Sequence, residues 1–309
     1  MNRLLKSRDF ARAGYFAIML LIVFFTFTMI SCKKDDSPTA ATTDSAPATQ
    51  AWIKVSGGVF SIGDTTSVKA DTPHVATMSD FYMSNIEVTQ KLWVSVMDST
   101  LSFYKGDNLP VQCINWYDAI SFCNRYSVSL GKTPCYSIGG VTDPKAWPTD
   151  TATLNSVACN FSANGFRLPT EAEWEFAAKG GRNYALNNKY YAGDANPLNV
   201  AWFLDNSQNR THVVGTKSAN ELGIYDMSGN IDEWCWDIYS SFTPFPVSNP
   251  KGPAKGSYRV IRGGCWMDGS ANCFVTFREW DDPSCPRNTT IPRVRADRYG
   301  MRLVSSVQP

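Results

Sequence analysis

The chain has 309 residues, of which 43% are apolar and 13% aromatic, with ten Trp and thirteen Tyr, enough for one large core or two small ones. The net charge is +1 and no long run of Lys or Arg occurs. That excludes a nucleic-acid partner, which needs a basic stripe to displace counterions. With only two histidines, His74 and His212, a three-histidine metal site is excluded too.

In chain order, the first element is a targeting segment. Arg3, Lys6, Arg8 and Arg12 precede an uncharged apolar stretch, Ala17 to Ile30, and Ser31-Cys32 follow. A basic leader, a short apolar run and a small residue read as a signal peptide, with an uncleaved anchor as the alternative. Met29-Ile30-Ser31-Cys32 resembles a lipobox, so residues 1–32 are expected to end in a lipidated Cys32. Lys33-Lys34-Asp35-Asp36 resembles the surface-export signal of Bacteroidetes lipoproteins. The expectation is a cell-envelope protein, lipid-anchored in the outer membrane and surface-exposed. Residues 33–50 are rich in Thr, Ala, Ser, Asp and Pro and cannot bury enough surface to fold. They read as a tether of about 25 Å root-mean-square span.

From residue 51 the pattern is that of a folded domain, 51–309. Trp52-Ile53-Lys54-Val55 and Gly57 to Gly63 read as two strands around a glycine turn. Phe81-Tyr82-Met83 and Ile86-Glu87-Val88 have strand-like composition. Thr89 suits the cap of a helix from Gln90 to Met97. Asn115 caps a second helix, with Ala119, Phe122, Cys123 and Tyr126 on one face and Gly131 as its stop. Thr170-Glu171-Ala172-Glu173 forms a capping box for a third helix, with Trp174, Ala177 and Ala178 as its inner face and Gly180-Gly181 as its end. Beyond this point helix signals fade, and Gly, Asn, Asp and Pro are scattered among aromatics, a composition of long ordered loops.

Eight cysteines follow Cys32, with no CxxC pair, so a zinc ribbon or thioredoxin-type site is unsupported. Export permits disulfides. Cys135 and Cys159 bracket a polar insert and are the first candidate pair. Cys123, on the helical apolar face, reads as a buried thiol. No Gly-rich phosphate loop and no Gly-x-Ser-x-Gly elbow is present.

Gly165-Phe166-Arg167-Leu168-Pro169-Thr170-Glu171-Ala172-Glu173-Trp174-Glu175 resembles the most characteristic string of the formylglycine-generating, or sulfatase-modifying, family. Other matches fall in the family's order: Gly57-Gly58-Val59-Phe60, Glu87-Val88-Thr89, Trp116-Tyr117-Asp118-Ala119, Thr211-His212-Val213-Val214-Gly215, Gly223 to Asn230 with Glu233-Trp234, Arg262-Gly263-Gly264 and Gly300-Met301-Arg302-Leu303. The resemblance implies a single α+β domain with the C-type-lectin-like formylglycine-generating-enzyme fold. It also implies two calcium sites. The first would use Asp226, Gly229, Ile231 and Glu233, and the second Asn199, Val200, Asn206 and Gln208. Calcium takes carboxylates and loop carbonyls, and the second set offers a neutral amide, Asn206, where the family has an acid.

The oxidases of this family bind copper(I) with two cysteines after Arg-Gly-Gly, because that ion needs soft thiolates. Here Cys273 matches the second cysteine, the first falls on Asp268, and Cys265 stands where Ser is usual. Cys265 would either reach the site in place of the missing cysteine, pair with Cys273 as a disulfide, or play a separate role. An iron site of two histidines and a carboxylate would require both His74 and His212, and His212 belongs to a structural pattern of the family. Two readings follow. In the first, the domain is a calcium-stabilised binding or structural module. It would take a protein, peptide or glycan ligand through the 265–298 loop region, where Trp266, Asn272, Phe274, Trp280, Asp281, Asp282, Asn288, Arg293 and Arg295 suit ligand contact. In the second, it is a formylglycine-generating oxidase with altered metal ligands.

Overall fold

The computed structural model describes residues 48–65, 72–148, 156–182, 189–285 and 295–309. The signal peptide, Cys32, the tether up to residue 47, Asn288, Arg293 and the Arg295 side chain lie outside the described set. Among the described residues no helix is long and apolar enough to cross a membrane.

The domain is α+β, with four small sheets. Strands β1 (Trp52–Val55), β4 (Phe81–Ser84) and β12 (Val304–Ser305) form an antiparallel sheet in the order β1-β4-β12. The glycine turn leads into β2 (Gly58–Ile62), which pairs antiparallel with β3 (His74–Met78), and β8 (Val247–Ser248) joins β3 in parallel. Two-residue strands β5 (Tyr136–Ser137) and β6 (Ala158–Cys159) make a third sheet. The fourth, in the order β10-β9-β7-β11, contains β7 (Asp232–Ile238), β9 (Arg259–Arg262), β10 (Glu279–Asp281) and β11 (Tyr299–Gly300), the last parallel to β7. The folded chain is already docked at the start of the described residues: Asn85 accepts from Ala51 N and donates to Thr49 O.

The three longer helices form where local chemistry places them, and a single-turn helix spans Pro197–Val200. In α1 (Gln90–Met97) the Thr89 hydroxyl accepts from Leu92 N at 3.2 Å. α2 (Trp116–Ser129) starts with a reciprocal box between Asn115 and Asp118, and Gly131 leaves it at φ +66°. α3 (Glu171–Ala178) has the Thr170–Glu173 box, with Gly180 and Gly181 at φ +87° and +65° behind it.

Two readings of the sequence are corrected. First, α3 has no outer face, since all eight of its residues are buried. Its glutamates look solvent-directed in sequence, yet each meets a cation: Glu171 pairs with Arg278, Glu173 with Arg167, and Glu175 with Lys179 and Arg262. Pairing of this kind is what makes buried carboxylates tolerable. Second, Ile86-Glu87-Val88 is not a strand. Val88 N bonds to Met301 O, Val111 N bonds to Val88 O, and the Glu87 carboxylate accepts from Asn230 Nδ2 and Ile231 N, so the segment is a cross-link between loops.

The expected Cys135–Cys159 disulfide and the Cys265–Cys273 alternative are corrected as well, because these four cysteines are free thiols. Register places Tyr136 opposite Cys159, and Asn160 N bonds to Cys135 O, so Cys135 and Cys159 stand near one another as separate thiols. Cys123 is a buried thiol in the main core. That core packs α1 and α2 against Trp234 and Tyr299, and a second core packs α3 against the first two strands, β4 and β9. Trp116 and Trp234 are fully buried with their indole N–H groups satisfied by Cys235 O and Ile114 O, as buried indoles require.

Candidate functional site

The loop that follows β9 carries the Arg-Gly-Gly motif and closes sharply. Gly263 and Gly264 take φ +102° and +69°. A Cβ on Gly264 would stand 2.7 Å from Asn272 O and 3.0 Å from Cys273 Sγ, so only glycine admits this approach. The turn is tied by Asp268, which accepts from Cys265 N at 3.1 Å and from Cys265 Sγ at 3.2 Å and donates its own N–H to Cys265 O. Asn272 Nδ2 reaches the other oxygen of Asp268 at 3.3 Å.

The structure brings Cys265 and Asp268 together with Asp232, their ligand atoms lying within 4.8 Å of one another and all three residues buried. Cys273 is outside this group, and its thiol faces Gly269 O at 4.0 Å. No histidine joins the group among the described residues. His212 is held elsewhere: its Nε2 contacts Ser207 O at 2.7 Å and its ring stacks on Trp202 at 3.7 Å.

The position beside these acids is taken by a guanidinium. Arg298, at the end of the turn Arg295–Arg298, donates from Nη1 to Asp268 Oδ1 at 3.3 Å. Its Nε lies 2.9 Å from Asp232 Oδ2 and its Nη2 2.7 Å from Glu279 Oε2. The Asp232 contact is charge pairing without hydrogen-bond alignment, since both of its atoms remain unsatisfied. Burial pushes the Asp232 carboxyl well above the usual range against the opposing pull of Arg298. Burial also pushes the Cys265 and Cys273 thiols well above theirs, with Asp232 and Asp268 adding to it. The group does not fit copper(I), which requires a pair of soft sulfur ligands. One thiol donates to a carboxylate, the other stands apart, and a cationic side chain sits among the acids.

The sequence named Cys265, Asp268 and Cys273 but missed Asp232, Glu279 and Arg298. Strand alternation was the available signal for Asp232: as the neighbour of Glu233 on β7 it must point to the opposite face.

The first calcium set lies around a different centre. Asp226, at φ +56°, accepts from Gly215 N at 2.6 Å through Oδ2, while its buried Oδ1 has no hydrogen-bond partner among the described residues. Burial, with Glu233 adding to it, raises the Asp226 pKa to about 6. Gly229 is required because a Cβ there would meet Trp202 O at 2.3 Å. Glu233 has both oxygens engaged, by Arg302 Nε and Nη2 and by Trp174 Nε1. Glu87, which the sequence did not single out for this site, is fully buried within electrostatic reach of Asp226 and Glu233. Three buried carboxylates thus gather around the buried guanidinium of Arg302. The free Asp226 oxygen and the excess of acid fit a cation, but Glu233 offers no free oxygen.

The second set fits poorly. Asn206 uses Oδ1 on Phe203 N and Nδ2 on Ala201 O, Asn199 Nδ2 bonds to Asp194, Val200 is buried, Gln208 turns at φ +55°, and none of the four carries a charge.

In the 265–298 region, Trp266 is fully buried and not available as a contact residue. It packs in the interior because Cys265 and Asp268 fold the loop back on itself, with Tyr104 against its ring. Asn272, Phe274, Trp280 and Asp281 are half-buried and Asp282 is exposed.

The site is thus set in a loop-rich α+β domain closed by an Arg-Gly-Gly turn, with buried acid clusters on both faces of β7. The chain belongs to the sulfatase-modifying factor enzyme 1-like family, whose model matches residues 37–307. It is 39% identical over 233 residues to the chaperone protein LppX of Paenibacillus barcinonensis, covering 70% of this chain and 78% of that one. The formylglycine-generating enzyme of Streptomyces coelicolor is 34% identical over 122 residues, 35% of this chain and 38% of the enzyme. Other relatives are covered over 39% of their length. Among solved structures, Treponema denticola variable protein 1 superposes with a TM-score of 0.73 at 33% identity, covering 83% of this chain and 95% of that one. The formylglycine-generating-enzyme fold expected from the sequence is the fold observed.

Proposed function

We propose that this domain is a binding module that keeps the family fold without the oxidase site, carried on an exported, lipid-anchored envelope protein. The observation that carries this reading is the Arg298 guanidinium set among Asp232, Asp268 and Glu279. It neutralises the acids that would otherwise attract a metal, and Asp268 supplies a hard carboxylate where copper(I) needs a soft sulfur. The Paenibacillus relative is named a chaperone, which fits a role in holding another protein. The contact surface is the 265–298 region without Trp266, its half-buried Phe274 and Trp280 offering apolar area to a protein, peptide or glycan.

The same proposal includes a calcium ion that uses the free oxygen of Asp226 with the Gly229 and Ile231 carbonyls, and lipidation of Cys32. Competitive copper(I) titration under reducing conditions tests the reading. The expected result is no stoichiometric complex. A tight complex lost in both Cys265→Ala and Cys273→Ala favours the oxidase. For the anchor, Cys32→Ser is expected to abolish metabolic labelling with a fatty acid, and labelling that survives contradicts it.

A further inference from the structure

The loop on either side of β8, residues 240–258, borders a cavity of about 430 Å³ that it shares with β2 and the first turn of α3. Ile62, Ala172, Phe242, Val247 and Pro250 give the cavity an apolar wall. The loop has prolines at 244, 246, 250 and 253, which fix φ and leave little backbone freedom to lose on binding. Phe245 stands between the first two and is 70% exposed. Thr243 and Val247, two residues away on either side, both line the cavity, so Phe245 belongs to its rim. A scattered exposed apolar residue needs no explanation. An aromatic ring framed by prolines beside an apolar-walled hollow has the make-up of a contact anchor.

Charge selects the occupant. Of the charged side chains in the lining, Glu171 and Arg278 neutralise each other through two bonds of 2.6 and 2.8 Å. Asp237 is only 4% exposed and accepts from Glu171 N at 2.9 Å. Lys251 is the exposed charge at the mouth. Its Nζ lies 4.2 Å over the Phe161 ring and meets no carboxylate among the described residues. Residues 240–258 contain Lys251 and the exposed Lys255 but no Asp or Glu. The outer surface of the loop is therefore cationic as well as apolar, and it complements a partner that is anionic and apolar together. A bilayer surface does not enter a hollow of this size, whereas one side chain of an extended peptide does.

We propose that this cavity takes an apolar side chain of an acidic peptide segment, with a neighbouring carboxylate of that segment on Lys251 and Phe245 against its backbone. The choice of a peptide rests on the binding-module reading.

Fluorescence anisotropy tests it on the full chain held in phosphatidylcholine nanodiscs. The probes are fluorescein-labelled Gly-Asp-X-Asp-Gly peptides with Phe, Leu or Ile at X. The controls carry Lys in place of Asp, or Ser at X. The expected result is saturable binding of at least one acidic peptide, at least about tenfold tighter than its Lys and Ser counterparts. A loss of the same size is expected in Lys251→Glu and in Phe245→Ser, both at exposed positions that leave the fold intact, and added salt weakens binding. Absence of saturable binding, equal binding of the Asp and Lys peptides, or affinity unchanged in either variant would overturn the proposal. Capture of the protein on phosphatidylglycerol vesicles without peptide binding would assign the loop to a membrane and overturn it too. A failed peptide titration leaves the copper(I) result untouched, so the two readings fail separately.

Discussion

Glu233 and Arg302, fully buried, grip each other through two bonds of 2.6 and 2.7 Å, and the same Glu233 oxygen that meets Arg302 Nε accepts from Trp174 Nε1 at 2.7 Å. The pair ties β7 to the segment just before β12, and the indole ties both to α3. Removing one partner of such a pair leaves a buried charge uncompensated. Glu233→Ala is expected to lower stability by about 3–5 kcal/mol. The double variant Glu233→Leu with Arg302→Met is expected to be more stable than Glu233→Ala. Chemical denaturation of the three proteins measures both, and a loss below about 1 kcal/mol for Glu233→Ala contradicts the assigned role.

Asp226 provides the test of calcium. Its Oδ1 is buried and has no hydrogen-bond partner among the described residues, while Glu233 is occupied, so the proposed ion depends on Asp226. A ligand that binds only the native state stabilises it by about 2.7 kcal/mol at a hundredfold excess over Kd. A chelator is expected to lower the melting temperature of the wild-type protein and to leave Asp226→Asn unmoved. Identical melting curves of the wild type with and without chelator would count against a structural ion.

Asp237 makes stability depend on pH in a definite direction. Its folded-state pKa is raised, chiefly by burial, while an unfolded Asp titrates near 3.9. The folded state therefore holds a proton that the unfolded state has released, and stability falls as pH rises from about 4 through the folded pKa. Asn at this position accepts from Glu171 N without ionising. Asp237→Asn is expected to match the wild type near pH 4 and to melt higher by at least about 2 °C at pH 7.5. A lower melting temperature at pH 7.5 would show that the ionised form is the one the fold prefers.

The elements that could be read from sequence are those fixed by neighbours in the chain. Thr89, Asn115 and Thr170 sit at the N-caps they were expected to occupy, because a cap is a contact between residues three apart. The all-round burial of α3 was not legible, since Glu171 and Glu175 look exposed until Arg278 and Arg262 arrive from 107 and 87 residues away. The candidate site was half legible. Cys265 and Asp268 are close in sequence, whereas Asp232 and Arg298 join them only through the parallel pairing of β11 with β7. Trp266 looked like a ligand contact because aromatic loop residues often are, and it is instead core.

The reading of this domain as a binding module turns on Asp268, a carboxylate paired with Arg298 that stands where the oxidase needs the first of its two thiolates. It is tested most directly by incubating the copper-loaded protein, under reducing conditions with oxygen, with a peptide carrying Cys-x-Pro-x-Arg. Mass spectrometry then reads the cysteine. The expected result is unmodified peptide at all times, in the wild type and in Arg298→Ala alike. Conversion of the cysteine to formylglycine by the wild type, abolished in Cys273→Ala, would contradict the claim and identify Cys265 as the ligand that replaces the missing cysteine.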